Sequence, residues 1–350
     1  MTLVSPRPDW ARARPAALPE ARGPLSAAVL EALRADPGGR ATRWPRVGAA
    51  DPWGEDLQLA LHTCYELHYR GLPGVADGWE WDPELLRFRA ALEGVFHEAL
   101  RQAVPGGHRA EEALDALLVE PARDTGLSAH LRDEGDWPRL REYFVHRSIY
   151  HLKEADPHAF AIPRLTGGAK AALVAVEFDE YGGGRGERMH ARLYADLLAA
   201  AGLDDGYLAY LDEVPAEPLA LVNLMSLCGL HRGLRGALVG HFAAAEITTA
   251  PSARRLAAAL ERVGAAPECV RFFTEHIEAD AVHEQVMRRE VVGGLLAGEP
   301  DLAADVVFGV QATEYLEGRL ADRLLGAWQR GETSLRRPLP AGLPGAPATA

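Results

Sequence analysis

The chain has 350 residues, of which 48% are apolar, 25% charged and 7% aromatic, enough for two ordinary domains or one large one with a substantial core. With 37 Lys+Arg against 50 Asp+Glu the net charge is −13, which repels phosphate backbones and anionic membrane surfaces and argues against a nucleic-acid reader. Three cysteines (Cys64, Cys228, Cys269), none in a CxxC pair, argue against disulfide scaffolds, zinc ribbons and cysteine-bound clusters, whereas 13 histidines beside 50 acids leave room for an imidazole–carboxylate site suited to iron, manganese or zinc.

Residues 1–23 are rich in Pro, Arg and Ala without an apolar signal core, and no apolar run approaches the roughly 18 residues of a membrane span, so a cytoplasmic protein is expected. This segment reads as a disordered tail, as does 337–350 with its four prolines. Between the tails, apolar residues recur at three and four, β-branched residues are sparse, and the predicted class is all-α. The first predicted helices run over about 24–35, 54–70, 82–104 and 109–122, separated by turn signals such as Pro37-Gly38-Gly39 and Pro105-Gly106-Gly107. Together with the aromatic cluster Trp79, Trp81, Phe88 and Phe96 they form an N-terminal helical region, 24–135, packed on a helical bundle over 136–330.

The bundle opens with a helix over about 137–155 that carries His146, His151 and Glu154, with Asp156 and His158 just beyond. Pro157 is expected to end it, which puts Glu154 in its last turn, as an auxiliary metal ligand or in a helix-end salt bridge with Lys153 or Arg147. Next comes a helix over about 164–178, then Glu180, Gly182-Gly183-Gly184, Glu187 and His190, and a helix over about 186–202. Glu187 and His190 stand at i and i+3, a spacing that suits two ligands of one metal. On an unbroken helix Glu180 and His190 would be about 80° from alignment, but three consecutive glycines invite a break that re-aims one turn against the next. The same glycines follow no strand and precede no GK[ST], so they make a poor phosphate cradle.

The segment 216–247 reads as one long helix, in whose small-residue stretch 236–247 Glu246 is the only acid. A carboxylate there is costly unless it faces a cation or a hydrogen-bond donor; otherwise it reaches water at the helix end or pairs with Arg254 or Arg255. His241, five residues away, lies on a different face and reads as a core or surface histidine. After a helix over about 251–264 comes one over about 268–295, on which His276, Asp280 and His283 fall at about 0°, 40° and −20°, a single narrow stripe. Ile277, Val282 and Met287 give the neighbouring faces apolar character, which points the stripe inward; the adjacent Glu275, Glu278 and Glu284 equally fit a solvated acidic face. A helix over about 300–328 closes the fold.

Taken in order, Glu180, His190, Glu246 and the run His276-x3-Asp280-x2-His283 resemble the ligand set of the haem-oxygenase-like diiron oxidases and oxygenases, the iron-containing redox enzymes. The resemblance covers about 140–330 and extends to the phrases Glu154-Ala155-Asp156-Pro157-His158 and Asp179-Glu180-Tyr181-Gly182. It implies a haem-oxygenase-like helical bundle with an additional N-terminal helical region, binding two Fe(II) per chain and using O2 as co-substrate. The implied metal ligands are Glu180, His190, Glu246, His276, Asp280 and His283, with Glu154 as the matching position for an extra carboxylate and Glu187 as a rival to Glu180. The implied reaction is N-oxygenation, desaturation or oxidative C–C cleavage of a small amine, amino acid or fatty-acid-like substrate, with an external electron donor and a homodimer both open. Two other readings compete: a metal-independent enzyme on the same fold (thiaminase-like, or a cofactor-less oxidase), and a non-enzymatic helical binding protein.

Overall fold

The structure is a computed structural model that describes residues 18–38, 43–119, 126–340 and 343, apart from the side chains of 278, 280 and 281. Among the described residues every regular element is helical, and the order of helices follows the predicted one through α1 (Pro24–Leu33), α2 (Glu55–Glu66), α3 (Pro83–Ala103) and α4 (Ala110–Leu117). Local chemistry sets the starts: Asp82 accepts hydrogen bonds from the Glu84 and Leu85 amides ahead of Pro83, and Asp136 accepts from the Arg139 amide at the head of α6 (Trp137–His151). Between them α5 (Leu127–Glu134) is not among the predicted helices; eight residues between Gly126 and Gly135 are too few for a clear period. Residues 120–122, the expected end of α4, lie outside the described residues, as do 1–17, 341–342 and 344–350 of the expected tails.

The chain leaves α6 at His151, six residues before Pro157, which instead sits in the first turn of the four-residue α7 (Asp156–Ala159). Glu154 is therefore in the connecting turn and not in a last helical turn. Then come α8 (Gly167–Glu180) and α9 (His190–Ala200). The expected helix 216–247 is two, α10 (Ala216–Leu230) and α11 (Arg235–Arg262), broken at His231–Leu234, and α11 absorbs the helix expected at 251–264 by running through Pro251. Thr248 and Thr249 donate to the Ala244 and Ala245 carbonyls in the turn ahead of that proline. The next predicted helix is α12 (Pro267–Gln285), which widens into a π-helical segment, Val286–Val292, and continues as α13 (Gly293–Gly298). Last is α14 (Ala303–Gln329).

The core is continuous from Leu25 to Leu335. α10 is apolar on every face and buried along almost its whole length, the signature of a central helix around which the others pack. α11 and α14 approach at backbone distance: a Cβ on Gly240 would stand 2.1 Å from the Val306 carbonyl oxygen, and one on Gly309 would stand 2.0 Å from that of Ala237. The small-residue stretch of α11 is thus a packing device, and it brings α14 against the functional site.

Candidate metal centre

The site assembles where α8 gives way to α9. Gly182, Gly183 and Gly184 all take left-handed backbone conformations, at φ 71°, 63° and 77°, and a Cβ on Gly182 would lie 2.7 Å from the Arg188 carbonyl carbon. This reversal brings His190, the first residue of α9, back onto Glu180, the last of α8, with Nδ1 2.7 Å from Oε2. The ten-residue gap that would misalign the two on a straight helix is closed by the glycine turn.

Two groups of potential ligands result, each with donor atoms within 4.8 Å of one another: Glu154, His190 and His276, and Glu180, Glu246 and His283. All six residues are buried. Both histidines of α12 are held in orientation: His276 Nδ1 lies 2.7 Å from the Phe272 carbonyl, aiming its Nε2 toward Glu154, and His283 Nε2 lies 3.3 Å from Asp179. His283 Nδ1 faces Glu246 at 3.1 Å and Glu180 at 3.4 Å, so Glu246 turns neither to water nor to Arg254 or Arg255. Glu154 accepts from His151 at 2.9 Å, while its two suggested salt-bridge partners are engaged elsewhere, Lys153 with Glu66 and Arg147 with Glu317. Asp280 lies on α12 between His276 and His283, but its side chain is outside the described residues. Glu187 is exposed in the 3-10 turn Gly186–Arg188 and joins neither group. Val282, expected to support an inward face, is 62% exposed.

The electrostatics follow from three carboxylates sharing a buried space. Burial alone would push the Glu180 carboxyl up, yet His190 and His283 hold it down to about 2. Against the burial that lowers them, the same contacts carry His190 up to about 9 and His283 up to about 11. The histidines thus supply, as protons, the positive charge that the carboxylates demand. Three imidazoles and three carboxylates are donors that suit iron, and a cation bound here would take over that compensating role.

Three features beside the ligands lay outside the sequence reading. Glu177, one helical turn before Glu180, is pushed up to about 9 by burial and by the neighbouring Glu180 and Glu246, so it is a neutral acid at pH 7. A cavity of about 400 Å³ opens onto Glu154, Glu180, Glu246 and His276, with Leu221, Leu256 and Phe273 among its apolar walls. Its polar wall comes from α6 and α14: Arg147 pairs with both oxygens of Glu317 at 2.6 and 2.7 Å, and Glu314 stands exposed at the rim. The acid pair Glu314 and Glu317, at i and i+3 on one helix face, was visible in the sequence; what it faces was not.

A model of the family described as iron-containing redox enzymes matches residues 141–318, just over half of the chain and the whole stretch that carries both ligand groups. The chain belongs to the iron-containing redox enzyme family. Its all-α bundle agrees with the haem-oxygenase-like fold expected from the resemblance. The chain is also similar to a nitrosourea synthase of Streptomyces achromogenes subsp. streptozoticus, at 26% identity over 233 residues, which cover 64% of this chain and 50% of that protein. It therefore spans about half the length of the curated relative it matches. Within this family a nucleophilic-thiol chemistry has no support from the three cysteines: all are buried, burial pushes each thiol up to about 12, and none lines the cavity. No helix is long and apolar enough to cross a membrane among the described residues.

Proposed function

We propose that this iron-containing redox enzyme is a diiron, O2-dependent oxidase or oxygenase acting on a small amine or amino acid. The observation that carries the reading is the pairing of two buried ligand groups through Glu180 on the wall of one cavity. In it Glu154, His190 and His276 hold one iron and Glu180, Glu246 and His283 the other, with Asp280 on the same α12 stripe as a further ligand. Two ferrous ions held there supply electrons for O2 reduction that protein side chains lack.

The protein's part is to bind, orient and exclude water. Leu221, Leu256 and Phe273 line the path to the ligands with apolar surface, which favours a substrate with a hydrocarbon body. Charge at the polar wall selects among the expected substrate classes. Arg147 is already neutralised by Glu317, whereas Glu314, exposed at the rim, has no ion pair or hydrogen bond among the described residues. That leaves an uncompensated carboxylate facing the cavity, which repels a fatty-acid carboxylate and attracts an ammonium or guanidinium group. The relative named as a nitrosourea synthase makes a nitrogen-rich product, in keeping with a nitrogen-bearing substrate.

The test is an anaerobic Fe(II) titration followed by O2-uptake measurements over a panel of amines, amino acids and fatty acids. Saturation near two irons per chain with uptake stimulated by amines is expected. No iron uptake by the wild type overturns the reading, and unchanged uptake by a His276→Ala/His283→Ala double variant overturns the ligand assignment.

A further inference from the structure

Outside the ligand groups, the most unusual buried charge in the molecule is Lys153, which is fully buried. Its ammonium pairs with the equally buried Glu66 at the end of α2, and it lies 4.4 Å from the centre of the Tyr69 ring. Glu66 is held in turn by the Tyr207 hydroxyl, which donates to its second oxygen at 2.5 Å, and His62 lies 3.4 Å from the first. Four residues after Glu66, Arg70 donates to the Leu152 carbonyl at 3.0 Å, approaches Asp156 at 3.9 Å and lies over the Tyr207 ring at 4.4 Å. Tyr181, beside Glu180, donates to the other oxygen of Asp156 at 3.0 Å.

These contacts converge on one short stretch of backbone. Leu152, Lys153 and Asp156 are each gripped by Glu66 or Arg70, and the two residues enclosed by that grip are Glu154 and Ala155. Their turn has no helix to define it, since α6 ends at His151 and α7 begins at Asp156. A buried Lys–Glu pair is a poor source of stability, because removing both charges from water offsets most of their attraction; an apolar pair of the same size does as well. Its benefit lies in geometry, because the ion pair keeps the Lys153 backbone within one side-chain length of the end of α2.

We infer that the N-terminal helical region is a positioning clamp for the metal centre, in which Glu66 and Arg70 fix the 152–156 turn so that the Glu154 carboxylate meets His190 and His276. The inference rests on Glu154 being an iron ligand, as proposed above. It gives the N-terminal helical region a role in the centre although neither ligand group among the described residues takes a member from it.

The test compares Glu66→Gln/Lys153→Met, Arg70→Met and Glu154→Ala with wild type by two measurements on each, the melting temperature of the apoprotein and an anaerobic Fe(II) titration. In Glu66→Gln/Lys153→Met the Gln still accepts from Tyr207 and no charge is left buried alone. The expected result is an apoprotein that melts close to wild type and binds one of the two irons at least tenfold more weakly, the iron that Glu154→Ala also weakens, with the other unchanged. Arg70→Met gives the same pattern to a smaller degree. A change in melting temperature with both irons bound as in wild type, while Glu154→Ala weakens one, overturns the clamp and leaves the ligand assignment standing. Wild-type binding by Glu154→Ala overturns the assignment of Glu154 and the clamp with it. If the double variant does not fold, Arg70→Met and Tyr207→Phe, which keep the ion pair, decide by the same criteria.

Discussion

Glu180 Oε2 lies 2.7 Å from His190 Nδ1 across a turn of three left-handed glycines, although the same carboxylate's other oxygen faces His283 of the second ligand group. Among the described residues Glu180 is therefore the acid that touches a histidine of each group, whereas the histidine that Glu246 contacts is His283. Glu180→Gln is expected to weaken iron at both positions and Glu246→Gln at one. Fe(II) titration of the two variants side by side distinguishes them, and equal losses would contradict a linking role for Glu180.

Much of this arrangement is legible in the sequence. The α12 stripe of His276 and His283 follows from helical period alone, and the isolated acid Glu246 from the cost of burying a charge. The Gly182–Gly184 run announces a break between Glu180 and His190, but its direction comes from left-handed φ values and close contact with Arg188, which no periodicity encodes. The split between α10 and α11 escapes because α10 is apolar all round and carries no amphipathic phase to be interrupted. The grip on Glu154 escapes for another reason: Glu66 and Lys153 are 87 residues apart, and each alone reads as an ordinary surface charge.

The close approach of α11 and α14 makes a packing prediction. Gly240 and Gly309 each meet the partner helix's backbone, not a side chain that can move aside, so even a methyl group must push the helices apart. Gly240→Ala and Gly309→Ala are each expected to cost about 1–3 kcal/mol or more. Thermal melts of the apoproteins measure this; wild-type melting in both variants would show that the helices do not meet at these glycines. Because the His241 imidazole bonds to Thr313 across the same contact at 2.7 Å, the variants should also alter the α14 wall of the cavity.

Glu314 provides a test of substrate charge. It stands at the cavity rim and makes no hydrogen bond or ion pair with a ligand residue among the described ones, so removing its charge should leave the iron content intact. Since solvent screens a rim charge, Glu314→Gln is expected to raise KM for an amine substrate by roughly 3- to 10-fold with little change in kcat. Steady-state O2-uptake kinetics give both constants, and an unchanged KM would argue against the rim carboxylate as the anchor.

Four buried histidines outside the ligand groups make stability depend on pH with a definite sign. Burial lowers His62, His146 and His158 to about 3 and His241 to about 4, and each sits neutral in the fold. In the unfolded chain the same imidazoles titrate near about 6.5. Between pH 6.5 and about 4 the unfolded state therefore binds protons that these positions in the native state refuse, so their stabilising contribution is complete above pH 6.5 and is lost on acidification. Each contributes up to about 1.4 kcal/mol per pH unit in that window, and the depressed carboxyl of Glu317, paired with Arg147, adds to the loss further down. Ligand residues His190 and His283 act in the opposite sense, because their raised values favour the folded apoprotein when they are protonated. At pH 5 all six imidazoles are protonated in the unfolded chain but only these two in the native one; Glu177, which keeps its proton in the fold and is ionised in the unfolded chain above about 4.5, offsets about one of the four buried neutral histidines, and their remaining surplus sets the slope. Urea titrations of the apoprotein at pH 7, 6 and 5 should show a midpoint that falls more steeply between pH 6 and 5 than between 7 and 6. His146→Gln, which keeps a hydrogen-bonding group opposite Ser334, should flatten that fall by about one proton's worth, and an undiminished slope would mean that His146 is not held neutral in the fold.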